Sequence, residues 1–198
     1  MSFFDKYTEH KNRFVSDRDM VFDSIKRYEG NHKSPLTRYD CKGKNLVPGV
    51  IYTFDYQNQF DIHDIVHNKK LYHDMKPLVL TILDDKNNVN HGLNLNVIPH
   101  TDRLKLFNML YNNMKIHEIN GGKDPSTCKP LLFDKSSINN ILKINSIPYI
   151  KMDMGYVKGI EALDYSDIIH ISNLFFDTVK FPNRMNMRML HEKIKNIK

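Results

Sequence analysis

From Pro48 the apolar residues recur at every second position, a spacing typical of a β-strand rather than a helix. The alternating residues of the first strand are Val50, Tyr52, Phe54 and Tyr56. The continuous apolar run LVLTIL after Pro77 predicts a second, buried strand, and GLNLNVI predicts a third strand that ends at Pro99. Because the polar stretch DDKNNVNHG connects the last two strands, we predict a hairpin there.

The N-terminal residues predict two short helices, because the S-x-x-[DE] pattern of a helix start occurs twice. The matches are Ser2 with Asp5 and Ser16 with Asp19. The second helix is expected to pack through Val21, Ile25 and Tyr28, with Asp23, Lys26 and Arg27 facing water. Gly30 ends it, and the polar stretch NHKSPLTRYDCKGKN predicts a loop. We therefore divide the chain into an N-terminal helical arm and loop, residues 1–46, and an α+β domain with C-terminal helices, residues 47–198.

The rest of the chain predicts further elements around this sheet. Thr101 is expected to cap a helix that lies across the sheet, and SSINNILKIN predicts a short helix. A pair of strands is expected around Gly155 or Gly159, and Ser166 begins an apolar helix that Pro182 separates from the last one. The predicted fold class is α+β, with a small antiparallel sheet or partly closed barrel flanked by N- and C-terminal helices.

Charge and composition exclude several classes of protein. The net charge of +6 permits contact with DNA, but the lysines are dispersed, so we expect such binding to be weak and nonspecific. Cys41 and Cys128 are too few for a disulfide framework and lack the spacing of a zinc site, which favours a reducing compartment. No apolar run approaches the roughly 18–20 residues of a membrane span or forms a secretion signal, so we expect a soluble protein.

The densest group of possible metal ligands is FDIHDIVHNKKLYHD. In a helix His63 and His67 would share one face, but the glutamate that follows the first histidine of a zincin is replaced by Asp64. No phosphate-binding glycine motif occurs, Cys128 lacks an identifiable base, and His170 is interpreted as a hydrogen-bonded core residue. The sequence thus predicts no catalytic residue, no metal and no cofactor, and we expect no enzyme activity.

Three segments, PGVIYTFDY, LYHDMKPLVL and HGLNLNVIPHTDRLKLFNML, resemble a family of small structural virion proteins of tailed bacteriophages, the myophages and their relatives. The matching residues are Pro48, Gly49, Tyr52, Phe54, Tyr56, Leu71, Asp74, Pro77, Leu78, Gly92, Leu93, Asn94, Leu95, Pro99 and Arg103. The chain departs from the family pattern at Tyr72-His73 and at Asn96-Val97, and the gap before Leu71 is longer. The resemblance covers residues 48 to about 111.

The resemblance implies a non-enzymatic component of the tail, baseplate or head-to-tail junction, which acts through protein–protein contacts in virus assembly. Its partners would be other virion proteins, with DNA bound weakly at most and with no membrane or small-molecule substrate. Its location would be the virion, after the host cytoplasm during assembly. Some members of the family are labelled DNA end protectors, so protection of packaged genome ends is one alternative, and a metal-dependent hydrolase is another.

The predicted partner-binding residues are one residue after the third strand and a set on the last helix. The apolar stripe of that helix lies beside arginines, and adaptable methionines suit a docking surface. Because the helix follows Pro182, we expect it to be an appended element. The predicted contact residues are Arg103, Arg184, Met187, Arg188, Leu190 and Ile194.

Overall fold

The computed structural model describes residues 1–30, 46, 49–56, 72–82, 91–119, 135–143, 148–152, 154–163, 168–174, 176–181 and 185–196. The helices are α1 (Phe3–Lys11), α2 (Asp17–Gly30), α3 (His100–Ile119), α4 (Lys135–Leu142), α5 (Ile168–Asn173) and α6 (Met187–Asn196). The strands are β1 (Ile51–Tyr56), β2 (His73–Asp74), β3 (Leu78–Ile82), β4 (His91–Asn94), β5 (Tyr149–Lys151), β6 (Val157–Ala162) and β7 (Val179–Lys180). The predicted α+β class, with helices at both ends, is confirmed.

An antiparallel sheet of five strands in the order β5-β4-β3-β1-β6 forms the centre of the fold, and β2 pairs with β7 in a separate ribbon. The predicted hairpin is confirmed, with Leu80 of β3 opposite Leu93 of β4. The sheet is not closed, so the chain forms an open sheet and not a barrel.

The two strands predicted around Gly155 lie on opposite edges of this sheet, because β5 pairs with β4 and β6 pairs with β1. The connection between them contains a tight 3-10 turn, Met154–Tyr156.

Both faces of the sheet are buried, which explains the apolar character of its central strands. On β1, Ile51 faces the larger cluster, to which all of the helices contribute. Tyr52 and Phe54 face a second cluster with Val79 and Met152. Because a cluster packs on each face of β1, its alternation separates two largely buried faces instead of a buried from an exposed one.

The N-terminal helices belong to the larger cluster. The capping box predicted from Ser2 and Asp5 is present, and α1 then buries Phe3 and Tyr7 against α3 and α5. Met20 of α2 is fully buried, and the predicted stripe packs at the edge of the cluster, where Ile25 and Tyr28 are partly buried against it. The division at residue 46 stays a prediction, but both helices share the core with the rest of the described chain.

The predicted third strand is shorter than its alternating pattern. It ends at Asn94, and Leu95–Val97 form a 3-10 turn in which every side chain is buried. The side chain of Asn94 accepts a hydrogen bond from the backbone N–H of Asn96 at 3.0 Å. Asparagine side chains compete in this way with the hydrogen bonds of a strand, so local capping overrides the alternation.

Candidate functional site

Asp74 lies at the centre of a buried polar network. Its Oδ2 accepts hydrogen bonds from the side-chain amides of Asn94 at 3.0 Å and Asn96 at 2.9 Å. Its Oδ1 accepts from the backbone N–H of Lys76 at 3.1 Å and from the hydroxyl of Thr178 at 2.6 Å. A buried carboxylate with such a set of donors is satisfied within the protein. We interpret Asp74 as a structural residue that holds these segments together.

This network links three parts of the chain that are distant in sequence. Asp74 comes from the ribbon, Asn94 and Asn96 from the end of β4 and the turn that follows it, and Thr178 from the residue before β7. The hydroxyl of Tyr72 forms a further hydrogen bond with Asn94, and burial raises the pKa of Tyr72. Asp74 and Asn94 belong to the family resemblance, whereas Thr178 carried no signal in the sequence. The contact of Thr178 with Asp74 is seen only in the folded structure.

Arg103 is buried within the protein. Its Nη2 donates a hydrogen bond to the backbone carbonyl of Leu174 at the end of α5, and its Nε has no partner among the described residues. Burial lowers the pKa of Arg103 to about 10, while the nearby Tyr7 partly opposes this shift. Burial also raises the pKa of Tyr7 to about 12, with Asp17 adding to the rise. This arginine therefore joins α3 to α5 and offers little surface to a partner.

The last helix is part of the core and not an appended element, so that expectation is wrong. Leu190 and Ile194 are fully buried in the larger cluster, and Met187 packs against it. The outer face carries Arg188 and Met189, both exposed. A binding role for Arg188 stays a prediction. Leu190 and Ile194, also predicted as contacts, are not available to a partner because both are buried in the core. Arg184 lies outside the described residues.

Exposed apolar side chains occur on the two N-terminal helices and their connection. Val15 is fully exposed, Phe22 is 57% exposed and Phe4 is 44% exposed. The ammonium of Lys26 lies 4.7 Å from the centre of the Phe22 ring, a cation–π contact on the outer side of α2. We call Phe4, Val15 and Phe22 the N-terminal apolar residues. Sequence reasoning assigned no role to any of them.

Five of the described cations are paired with nearby acids. The pairs are Lys11 with Asp17, Arg13 with Glu9, Arg27 with Asp23, Lys105 with Asp102 and Arg188 with Glu192, at 2.7–3.2 Å. Such exposed pairs contribute at most about 1 kcal/mol to stability. The pairs matter instead for nucleic-acid binding, because each acid neutralises a positive charge that could otherwise contact a phosphate.

One cluster of possible metal ligands was missed by sequence reasoning. His10 of α1, Asp23 of α2 and His170 of α5 bring one ligand atom each to within 4.8 Å of one another. The His10 and His170 rings meet edge to face with centroids 4.6 Å apart. Burial lowers the pKa of His10, and Asp23 partly opposes the shift. These residues come from distant segments, so their spacing in sequence carried no signal.

Residues 60–71 of the histidine-rich segment, with His63 and His67, lie outside the described residues, and so does Cys128, whereas His73 and Asp74 form β2. The interpretation of the histidine-rich segment as a non-metal segment therefore stays a prediction. His170, interpreted as a core histidine, is only partly buried and its Nδ1 lies 3.5 Å from the hydroxyl oxygen of Ser24. Within the described residues, no helix is long and apolar enough to cross a membrane.

Comparison with family models, curated proteins and solved structures found no match to this chain.

Proposed function

We propose that this protein is a non-enzymatic structural component of a tailed-phage virion, located at the tail, baseplate or head-to-tail junction. It would act in assembly through contacts with other virion proteins. The observation that carries the proposal is the exposure of Phe22 on α2 and of Val15 in the connection between α1 and α2. We infer that these apolar side chains contribute to a surface that binds another protein.

The polar residues of the family resemblance bind other parts of the protein, and this supports the proposal. Asp74 and Asn94 satisfy each other inside the protein, and Arg103 is engaged with a backbone carbonyl. A general base or a substrate-binding arginine would need to reach a ligand. These groups instead connect segments of the fold, as expected of a scaffold that presents its surface to neighbours.

The proposal is tested with purified particles of a phage that encodes this protein. Mass spectrometry of gradient-purified virions should detect the chain in a stoichiometric amount relative to known tail proteins. Its absence from such particles would contradict a structural role.

The role of Val15 and Phe22 is tested by complementing a phage that has an amber mutation in the gene for this protein with the Val15→Ser or Phe22→Ser variant. We expect each substitution to lower incorporation into particles severalfold while leaving the melting temperature within about 2 °C of the unmodified protein, because both side chains are exposed. Met75→Ser is the matched control, since Met75 is 45% exposed but lies outside the N-terminal helices. Normal incorporation of both N-terminal variants would place the contact elsewhere.

If the protein instead protects genome ends, the purified protein should bind DNA differently. Tight binding to DNA ends in preference to internal duplex, persisting at physiological salt, would favour the end protector. Under our proposal, binding is weak, shows no preference for ends and falls steeply with salt through counterion release.

A further inference from the structure

We propose that His10, Asp23 and His170 form a binding site for a divalent transition metal ion of the zinc class. Each residue offers one ligand atom, and these atoms lie within 4.8 Å of one another. Two imidazoles and one carboxylate suit zinc and its neighbours better than calcium or magnesium, which prefer oxygen ligands.

The geometry requires only a small contraction. Ligand atoms bound to one tetrahedral zinc ion at about 2.0–2.1 Å lie roughly 3.4 Å apart. The ligand atoms of the cluster are separated by at most 4.8 Å, so side-chain movements of about 1 Å can bring them to bonding distance of one metal ion. A water molecule can occupy the fourth position, as in other three-residue zinc sites.

A second observation points independently to a ligand. His10 is only 8% exposed, and its Nε2 has no hydrogen-bond partner among the described residues. A buried polar atom without a partner costs about 1–3 kcal/mol in a folded protein. A metal ion bound by this nitrogen would remove that cost, and Phe14, whose ring lies 5.1 Å from the His10 ring, would shield the site.

The charged neighbours oppose binding, and one of them offers a test. Arg27 Nε lies 3.2 Å from Asp23 Oδ2, which is itself buried. Arg13 also acts on His10 electrostatically. The Arg27 side chain is 56% exposed, so it can turn into water when a metal ion takes its place on the carboxylate. Removal of Arg27 should therefore strengthen metal binding.

The consequence of binding is structural. The ligands come from α1, α2 and α5, so one ion would fasten both N-terminal helices to the helix that Arg103 also holds. Metal ions that join segments in this way contribute directly to folding stability. The helices that carry the N-terminal apolar residues would then be held in a fixed orientation.

The experiment uses the full-length protein after removal of metal with EDTA, titrated with Zn²⁺ and, for its visible absorption, with Co²⁺. We expect one equivalent to bind. At a hundredfold excess over Kd, zinc should raise the melting temperature by roughly 5–10 °C. Asp23→Asn, His10→Ala and His170→Ala should each weaken binding at least tenfold, and Arg27→Ala should strengthen it.

Two control variants separate this site from other histidines. His191→Gln replaces a partly buried histidine on α6, outside the cluster, and should bind metal like the unmodified protein. The double variant His63→Ala/His67→Ala should also retain binding. Loss of metal binding in the variant His63→Ala/His67→Ala would overturn the proposal. So would a metal affinity that is unchanged both in Asp23→Asn and in Arg27→Ala. Because Asp23→Asn preserves shape and Arg27 is exposed, misfolding does not obscure this outcome.

Discussion

The side-chain amide of Asn94 donates a hydrogen bond to Oδ2 of Asp74 at 3.0 Å, and both side chains are buried. Asn96 donates to the same oxygen from the turn that follows β4. Two segments of the family resemblance are therefore held together by one charged acceptor in the interior. The strength of such hydrogen bonds exceeds that of bonds between neutral groups.

We predict that Asp74→Ala destabilises the protein by roughly 3–5 kcal/mol, because the amides of Asn94 and Asn96 would be buried without their acceptor. Thr178→Val removes a single donor to Asp74 and should cost only about 1 kcal/mol. Urea unfolding at neutral pH measures both. Equal losses for the two variants would show that the carboxylate is not the centre of the network.

We predict that Gly92→Ala disrupts the pairing of β3 with β4. A Cβ at this position would lie 2.1 Å from Val79 Cγ1, which is closer than atoms can approach, and 3.0 Å from the backbone oxygen of Leu80, which is a tight contact. We expect a loss of roughly 2–3 kcal/mol in the free energy of unfolding, as for other overpacked cores. Adding Val79→Ala should recover part of the loss relative to the sum of the two single variants. Strict additivity in this double-mutant cycle would contradict the steric explanation.

We predict that the last helix is needed for stability. Leu190→Ala and Ile194→Ala should each cost about 2–5 kcal/mol, because both side chains are fully buried. Met189→Ala on the outer face of the same helix, where the side chain is 42% exposed, should change stability by no more than about 0.5 kcal/mol. Removal of residues 185–198 should prevent folding, as followed by circular dichroism. A truncated chain that melts cooperatively would restore the interpretation of the helix as an appended element.

We predict that His191 lowers stability in mild acid. Burial lowers its pKa below the ordinary 6.5 and Lys195 adds to this, while a hydrogen bond with the Val97 backbone and the charge of Asp102 oppose it. The unfolded chain therefore takes up a proton first, so stability present above about pH 6.5 is lost as the pH falls toward the folded pKa. The melting temperature should drop between about pH 7.5 and 5.5, and His191→Gln should show a smaller drop. Identical drops would exclude His191 as a source.

Much of the fold could be predicted from local patterns in the sequence. The serine and aspartate of the first capping box act within one turn of helix, so Ser2 and Asp5 carry their own signal. Buried strands such as Leu78–Ile82 were recognisable because a strand covered on both faces needs a continuous apolar run. Errors arose where a local interaction competed with the pattern, as at Asn94, whose side chain ends the strand that Leu95 and Val97 would have continued.

The candidate sites could not be predicted in the same way, because their residues meet only through the packing of distant segments. Arg103 looked like a surface contact in the sequence, but α5 places a backbone carbonyl against it. The apolar stripe with Leu190 and Ile194 was recognised, yet periodicity cannot tell a core from a docking face.

The sequence by itself therefore determined most of the helices and the central strands, but not the β2–β7 ribbon, since capping, turn chemistry and apolar period act over a few residues. Only the tertiary structure decided which faces are covered, that β5 and β6 lie on opposite edges, and that His10, Asp23 and His170 meet. These outcomes depend on contacts between residues far apart in the chain, as for Ser24 and His170, which are separated by 146 positions. No local preference encodes such a contact, because it forms only when the hydrophobic cores on both sides of the sheet bring the segments together.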